Sequence, residues 1–226
     1  MNYKYITIIP ARGGSKRFPQ KNVRKLNNIP LICHSIEYSK RNSKVIGTYV
    51  STDSEEIKKI SMNSGAVVID RPDELAGDYA TSASVMKHAV EYLLKEGIGF
   101  DYVILLQVTN PLRPCNLLDE AIDVIETGKY DSLFTVSKSE KKLGKIIEGK
   151  FTPWNYKFGM RSQDMDPLYY ENGLLYITSK ELLLQEIIEG KDAYPLVVNH
   201  PFGGVDIDTK EDFEYAKFIL NQYKDE

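Results

Sequence analysis

Tyr5-Ile-Thr-Ile-Ile-Pro10-Ala-Arg12-Gly-Gly-Ser15-Lys-Arg-Phe-Pro-Gln-Lys21-Asn22 begins as a β-branched run and breaks into a glycine-containing, basic stretch. The run reads as a buried strand, since β-branched side chains suit a pleated, packed surface. In open α/β sheets the loops beyond the carboxyl ends of strands are where ligands bind. Gly13 and Gly14 let backbone N–H groups approach an anion, Ser15 adds a hydroxyl donor, and Arg12, Lys16, Arg17 and Lys21 supply positive charge. That set suits a polyphosphate. The stretch matches neither the GxxxxGK[ST] nor the GxGxxG pattern, so the P-loop and dinucleotide readings lose their main support. The plain alternative is a solvated basic turn, and the length of the loop and its place after the first strand weigh against it.

Outward from this segment, short apolar runs alternate with helical patterns. Residues 5–10, 45–51, 66–69, 102–107 and 132–136 read as strands, and such alternation predicts a mostly parallel sheet. Pro30 suits a first helical turn, Asp53 with Glu56 resembles a capping box ahead of Ile57 and Ile60, and Gly65 supplies a stop. Ser82 opens a helix bearing Val85, Ala89, Leu93 and Leu94, closed by Gly97; Leu117, Leu118, Ala121, Ile122 and Ile125 form the stripe of the next, closed by Gly128. After Val136 the rhythm turns polar, with a hairpin expected around Glu148-Gly149-Lys150 and the aromatics Phe151, Trp154, Tyr156 and Phe158. Residues 137–168 read as an insertion in a single domain spanning residues 1–226. The main pattern resumes with a strand at 173–177, a helix over 179–189, a strand at 195–198 and a last helix from about Thr209.

Composition narrows the class. Of 226 residues, 42% are hydrophobic and 27% charged, which suits one globular core rather than a disordered chain. The net charge of −3 argues against nucleic acid as a partner, yet Arg12, Lys16, Arg17, Lys21, Arg24 and Lys25 follow one another with no acid between them. A local anion site in an acidic protein predicts a small charged ligand. No apolar run approaches the ~18 residues of a membrane span and no signal-peptide core opens the chain, so a cytoplasmic location is expected. Cys33 and Cys115 lack metal-ligand spacing and read as two buried thiols; His34, His88 and His200 have no placeable partner carboxylate and receive no catalytic role.

Near the other end, Gly203-Gly-Val-Asp206-Ile-Asp208-Thr209 spaces two carboxylates by one residue, so on an extended segment both point the same way and can share a cation. Magnesium takes one or two carboxylates plus substrate phosphate oxygens. The competing reading is that Asp208-Thr209 caps the final helix. Arg71, Gln107 and Arg113 fall at strand ends on the same edge as the basic loop, although lone polar residues in loops are ordinarily surface residues.

The segment Ile9–Asn22, followed in order by Val50-Ser-Thr-Asp-Ser54, Arg71-Pro-Asp-Glu-Leu-Ala76, Leu106–Arg113, Glu171-Asn-Gly-Leu-Leu-Tyr176 and Val205-Asp-Ile-Asp-Thr209, resembles the acylneuraminate cytidylyltransferases, the CMP-sialic acid synthetases. The resemblance covers most of the chain. It implies a nucleotidyltransferase fold, a Rossmann-like three-layer α/β sandwich, with CTP and a nine-carbon 2-keto sugar acid as substrates. It also implies pyrophosphate as product, Mg²⁺ as cofactor and a homodimer formed through the insertion. By the same resemblance Ala11, Arg12, Gly13, Gly14, Ser15, Lys21 and Asn22 surround the nucleotide and its phosphates, with Arg71 and Ser82 nearby. Gln107, Arg161, Asn172 and Tyr176 face the sugar acid, and Asp206 and Asp208 hold metal; Arg12, Lys21, Asp206 and Asp208 carry the chemistry.

The sequence departs from the family at Gln107-Val-Thr-Asn-Pro-Leu-Arg113, and the aromatic pair expected after Tyr176 has no counterpart. Sialic, legionaminic, pseudaminic and deaminated acids therefore all stay open as substrates. The rivals are a cytidylyltransferase for the eight-carbon acid KDO, against which Lys21-Asn22 argues, and a non-catalytic nucleotide-sugar-binding protein, against which the retained Asp206 and Asp208 argue. A structural partner protein gains only from the aromatic stretch at 151–158.

Overall fold

The computed structural model describes residues 3–223. Along the chain run β1 (Tyr5–Pro10), β2 (Lys25–Leu26), β3 (Ile29–Pro30), α1 (Leu31–Lys40), β4 (Val45–Thr52), α2 (Glu55–Asn63) and β5 (Val67–Asp70). Then come α3 (Ser82–Lys95), β6 (Tyr102–Leu105), α4 (Leu117–Glu126), β7 (Ser132–Ser139), β8 (Gly144–Ile147) and β9 (Lys150–Pro153). The chain ends with β10 (Leu168–Ser179), α5 (Lys180–Leu183), β11 (Ala193–Val197) and α6 (Lys210–Gln222).

Seven strands form one sheet in the order β11-β7-β10-β6-β1-β4-β5. β1 is parallel to β4 on one side and to β6 on the other, and β10 runs antiparallel to both β6 and β7. The sheet is therefore mostly parallel, as expected. Alternate residues of β1 face opposite layers: Tyr5 and Ile9 join a core with α1, α2, α4 and α6, while Ile6 and Ile8 join one with α3 and α5. Both faces are covered, which is why β1 and β6 read as continuous apolar runs. The strand order reverses at β1, so the loop after Pro10 leaves the sheet where neighbouring crossovers diverge and a crevice opens.

Several local expectations change. Ser54, not Asp53, caps α2, with its hydroxyl accepting from the Ile57 N–H at 3.4 Å. Pro30 stands just before the first turn of α1 rather than in it, as the end of a small hairpin whose turn is Asn27-Asn28, both at positive φ. The helix expected over 179–189 stops at Leu183. The expected insertion starts and ends inside paired strands, since Ser139 of β7 faces Leu168 of β10, so the projecting arm is residues 140–167. Within it the hairpin β8–β9 turns through Glu148 and Gly149, both at positive φ, the two-residue geometry that matches strand twist. Cys33 is buried but Cys115 is exposed, which corrects the pair of buried thiols. Among the described residues, no helix is long and apolar enough to cross a membrane.

Candidate active site

The loop after β1 is folded on itself before any ligand is considered. The Gly13 N–H donates to Asp53 Oδ1 at 2.9 Å, and the Ser15 N–H to the Gly13 carbonyl at 3.1 Å. A Cβ on Gly13 would lie 2.9 Å from Ser54 Cβ, so this glycine is required for the loop to sit against the start of α2. Gly14 has open space around its Cβ position. The buried Asn22 amide donates to the Arg12 carbonyl at 2.9 Å, and buried Ala11 donates its N–H to the Ser51 carbonyl at 2.9 Å. Of the two glycine N–H groups expected to meet an anion, that of Gly13 is thus committed within the protein. The cationic side chains are what the loop presents.

They line a cleft of about 500 Å³ together with Ser15, Asn22, Arg71, Asp78, Thr81, Ser82, Gln107, Thr109 and Asp208. Two carboxylates from distant parts of the chain hold four loop cations. Asp78 Oδ1 accepts from Arg12 Nη1 at 3.2 Å and its Oδ2 pairs with Lys16; Asp208 Oδ1 accepts from Lys21 Nζ at 2.8 Å and its Oδ2 pairs with Arg17. Arg12 also donates to the Gly77 carbonyl at 3.1 Å. Lys21 is the most enclosed of the four, its side chain 12% exposed.

Opposite the loop the polar groups are buried and internally satisfied. Arg71, at the end of β5, donates to the Ser51 hydroxyl at 3.2 Å and the Ser51 carbonyl at 2.6 Å, and burial pulls its pKa down to about 10. Arg113 donates to the carbonyls of Leu174 at 2.5 Å and Gln107 at 2.8 Å and to the Ser35 hydroxyl at 3.1 Å. Burial lowers its pKa to about 10 as well, still far above neutrality. Asn172 is buried; its Oδ1 accepts from Thr135 and Leu174, and its Nδ2 donates to Ser137. Gly173 stands at φ +73 in the bulge of β10, where a Cβ would lie 2.9 Å from Asn110 Oδ1 and 3.2 Å from Gln107 Oε1. The Tyr176 hydroxyl donates to Glu171 at 3.4 Å, and burial, ahead of Glu171, raises its pKa.

Asp206 and Asp208 flank the buried Ile207, whose N–H donates to the Thr109 carbonyl at 2.8 Å, so the two carboxylates leave the segment on the side away from the core. The surroundings of the Asp206 carboxyl push its pKa up, burial first, with Asp208 adding to the rise and Thr109 opposing it. The last helix is capped by Thr209 and Asp212, not by Asp208. Asp208 faces the cationic loop and Asp206 lies on the same segment, and one or two such carboxylates would suit magnesium, which completes its shell with phosphate oxygens and water. Among the described residues no cluster of three or more His, Cys, Asp and Glu side chains suits a metal, so phosphate would have to complete the set.

Arg12, Ser15, Lys21, Asn22, Arg71, Ser82, Gln107 and Asp208 therefore share one cleft, with Asp206 one residue beyond buried Ile207. Asn172 and Tyr176 lie behind it in β10. Arg161 lies apart, on the arm, in an exposed two-bond pair with Asp164 at 2.8 and 2.9 Å. Sequence reasoning missed Asp78, Asp53 and Asn110. Asn110, 1% exposed, ties the Asn172 and Val205 carbonyls at 3.0 and 2.9 Å and so joins three segments. The available signal was position alone: each of the three follows a strand end on the loop's side of the sheet.

A family model described as cytidylyltransferase matches residues 6–224. The chain belongs to the cytidylyltransferase family. It is 34% identical over 225 residues to an N-acylneuraminate cytidylyltransferase of Streptococcus agalactiae, covering 93% of this chain and 52% of that protein. The chain thus spans about half the length of that streptococcal relative. It is 31% identical over 222 residues to a pseudaminic acid cytidylyltransferase of Campylobacter jejuni subsp. jejuni, covering 96% of each. A solved CMP:2-keto-3-deoxy-manno-octonic acid synthetase in complex with CTP superposes with a TM-score of 0.69 at 16% identity, over 97% of this chain and 99% of that one, which shows the shared α/β fold.

Proposed function

We propose that the chain is a cytidylyltransferase that moves CMP from CTP onto the anomeric hydroxyl of a nine-carbon 2-keto sugar acid and releases pyrophosphate. The observation that carries this reading is the convergence of four loop cations and Asp208 on one cleft at the switch point of the sheet, with Asp206 two residues before Asp208 on the same segment. The names of the N-acylneuraminate and pseudaminic acid relatives support a nine-carbon acid as acceptor. The substrate stays open among sialic, legionaminic, pseudaminic and deaminated acids.

In this reading Arg12 and Lys21 offset triphosphate charge, with Ser15, Asn22, Arg71 and Ser82 around the nucleotide and Gln107, Asn172 and Tyr176 toward the acceptor. Catalysis is then mainly positioning and charge neutralisation for an in-line displacement at the α-phosphorus. Asp206 and Asp208 would hold Mg²⁺, which supplies positive charge to the phosphates and a lower pKa to the attacking hydroxyl. One of the two aspartates would also accept the hydroxyl proton. The arm exposes Ile146, Trp154 and Phe158 at 79%, 65% and 71%, which supports a homodimer formed through it, and Arg161 would reach an acceptor from the arm of a second copy. A cytoplasmic setting, where CTP is supplied, completes the proposal.

The test is pyrophosphate release by the purified chain with Mg²⁺ and each of the four nucleoside triphosphates, against a panel of sialic, legionaminic, pseudaminic and KDO acids, with CMP-sugar detected by mass. Release with CTP and one nine-carbon acid is expected. Release only with KDO, or CTP binding without turnover across the panel, would overturn it.

A further inference from the structure

Asp78 does something in the cleft that neither substrate requires. It comes from residues 71–81, on the wall facing the loop, and reaches back 66 residues to Arg12 and 62 to Lys16. Each of its carboxylate oxygens takes one cation, as two oxygens of a phosphate group would. Arg12 is tethered to the same segment a second time through the Gly77 carbonyl at 3.1 Å. Lys16 holds the Asp78 carboxyl below the usual carboxylate range, with Arg12 adding to the effect, so the group is an anion at neutral pH.

The two halves of the arrangement differ. Asp208 grips Lys21, whose side chain is 12% exposed, and belongs to the pair proposed to hold metal. Asp78 is 47% exposed, its cations Arg12 and Lys16 are 36% and 74% exposed, and it takes part in no metal pair. Exposed ion pairs are weak, so a polyphosphate offering several charged oxygens at once displaces the carboxylate readily. A displaced carboxylate stays anchored on its segment beside the bound phosphates, and like charge there disfavours their stay.

We propose that Asp78 is an internal stand-in for phosphate: it holds Arg12 and Lys16 when the cleft is empty, yields them to the triphosphate, and recovers them as pyrophosphate leaves. Asp78 is on this account a positioning residue whose effect is to shorten the residence of pyrophosphate. The inference rests on the cytidylyltransferase reading above.

The experiment measures binding of inorganic pyrophosphate and of CTP to the full chain by calorimetry, for wild type, Asp78→Asn, Asp78→Glu and Asp73→Asn. Asp73 lies on the same segment and outside the cleft lining, so it controls for loss of one negative charge. Asp78→Asn is expected to bind pyrophosphate about tenfold more tightly, in line with charge-pair effects at binding sites, and to be more strongly inhibited by it during turnover. Asp78→Glu returns affinity toward wild type, and Asp73→Asn leaves it unchanged. A purely structural role for Asp78 would loosen pyrophosphate instead. Unchanged or weaker pyrophosphate binding in Asp78→Asn, or an equal gain in Asp73→Asn, overturns the stand-in while CTP binding by wild type keeps the underlying reading intact. Failure of wild type to bind either ligand overturns both.

Discussion

Arg12 lines the cleft, Arg113 stands behind one of its lining residues, Gln107, and the two are held in opposite ways. Arg12 is partly exposed and its charged partner is a carboxylate from a distant loop. Arg113 is 5% exposed, donates to two carbonyls and a hydroxyl, and lies 5.6 Å from the centre of the Tyr38 ring. Partners of the first kind can be exchanged for ligand oxygens at little cost, because water and salt already compete for them. Partners of the second kind are backbone groups with nowhere else to turn, so that layer is a frame behind the cleft. Residue type alone does not tell a ligand-binding arginine from a structural one; burial and the chemistry of its acceptors do.

The comparison breaks most visibly if the exchangeable wall proves dispensable. Asp208→Asn keeps the shape and removes the charge that orders Lys21 and Arg17. It should lower turnover by about 10³-fold, about 4 kcal/mol, the range seen when one group stabilising a transition state is removed. CTP affinity should stay within a few-fold of wild type. Pyrophosphate-release kinetics beside CTP calorimetry check this, and turnover within a few-fold of wild type would remove Asp208 from the chemistry.

The frame predicts the reverse signature. Arg113→Met takes a donor from the Leu174 carbonyl and the Ser35 hydroxyl in a buried place and leaves the Gln107 carbonyl only the longer 3.4 Å bonds from Ser35 and the Asn110 N–H, which should cost about 3 kcal/mol of unfolding free energy. Arg12→Met should change stability by about 0.5 kcal/mol or less while weakening CTP binding. Urea unfolding of both variants decides it: equal losses would erase the distinction between loop and frame.

How much of this was legible depends on whether a local residue carries the cause. Gly65 and Gly97 end their helices in the left-handed conformation, with Ala66 N–H to Ser61 O and Ile98 N–H to Leu93 O, and glycine announces that conformation in sequence. The same turn closes α5, with Ile187 N–H to Leu182 O and Glu186 N–H to Leu183 O. There the left-handed residue is Glu186, at φ +61, which advertises nothing, so the apolar spacing through Ile187 and Ile188 reads as helix. The basic loop was legible because its charges are contiguous. Asp78 and Asn110 were not, since their roles come from groups 66 and 95 residues away that only the fold brings near. Asp53 was misread as a cap because Ser54, one residue on, fills that role and frees Asp53 for Gly13.

Two glycines sharpen the contrast at smaller scale. Gly173→Ala forces a side chain into φ +73 with Asn110 Oδ1 at 2.9 Å, on the frame side. A strained residue of this kind costs about 1–3 kcal/mol, and the displaced Gln107 should raise the KM for the sugar acid more than for CTP. Gly14→Ala meets nothing within 4 Å and should be near neutral in stability. Thermal unfolding with the two KM values tests the pair, and a Gly173→Ala protein indistinguishable from wild type would show that the bulge is not rigid.

The smallest expected effect concerns Glu189, beside the frame at β10. Burial, with Glu171 second, raises its pKa, so the folded state disfavours the ionised form. The stability linked to this group is fully present below the ordinary carboxylate range near pH 4 and is lost as pH rises through the raised value. Glu189→Gln removes the charge and should therefore stabilise the chain at pH 7 by a few tenths of a kcal/mol, the effect being small because the carboxylate is only partly buried and solvent still screens it. The gain should vanish at pH 4, where wild type is itself largely protonated there. Unfolding midpoints of the two proteins across pH 4 to 8 measure the difference, and a gain that is constant with pH would mean that glutamine packs better rather than that a charge was relieved.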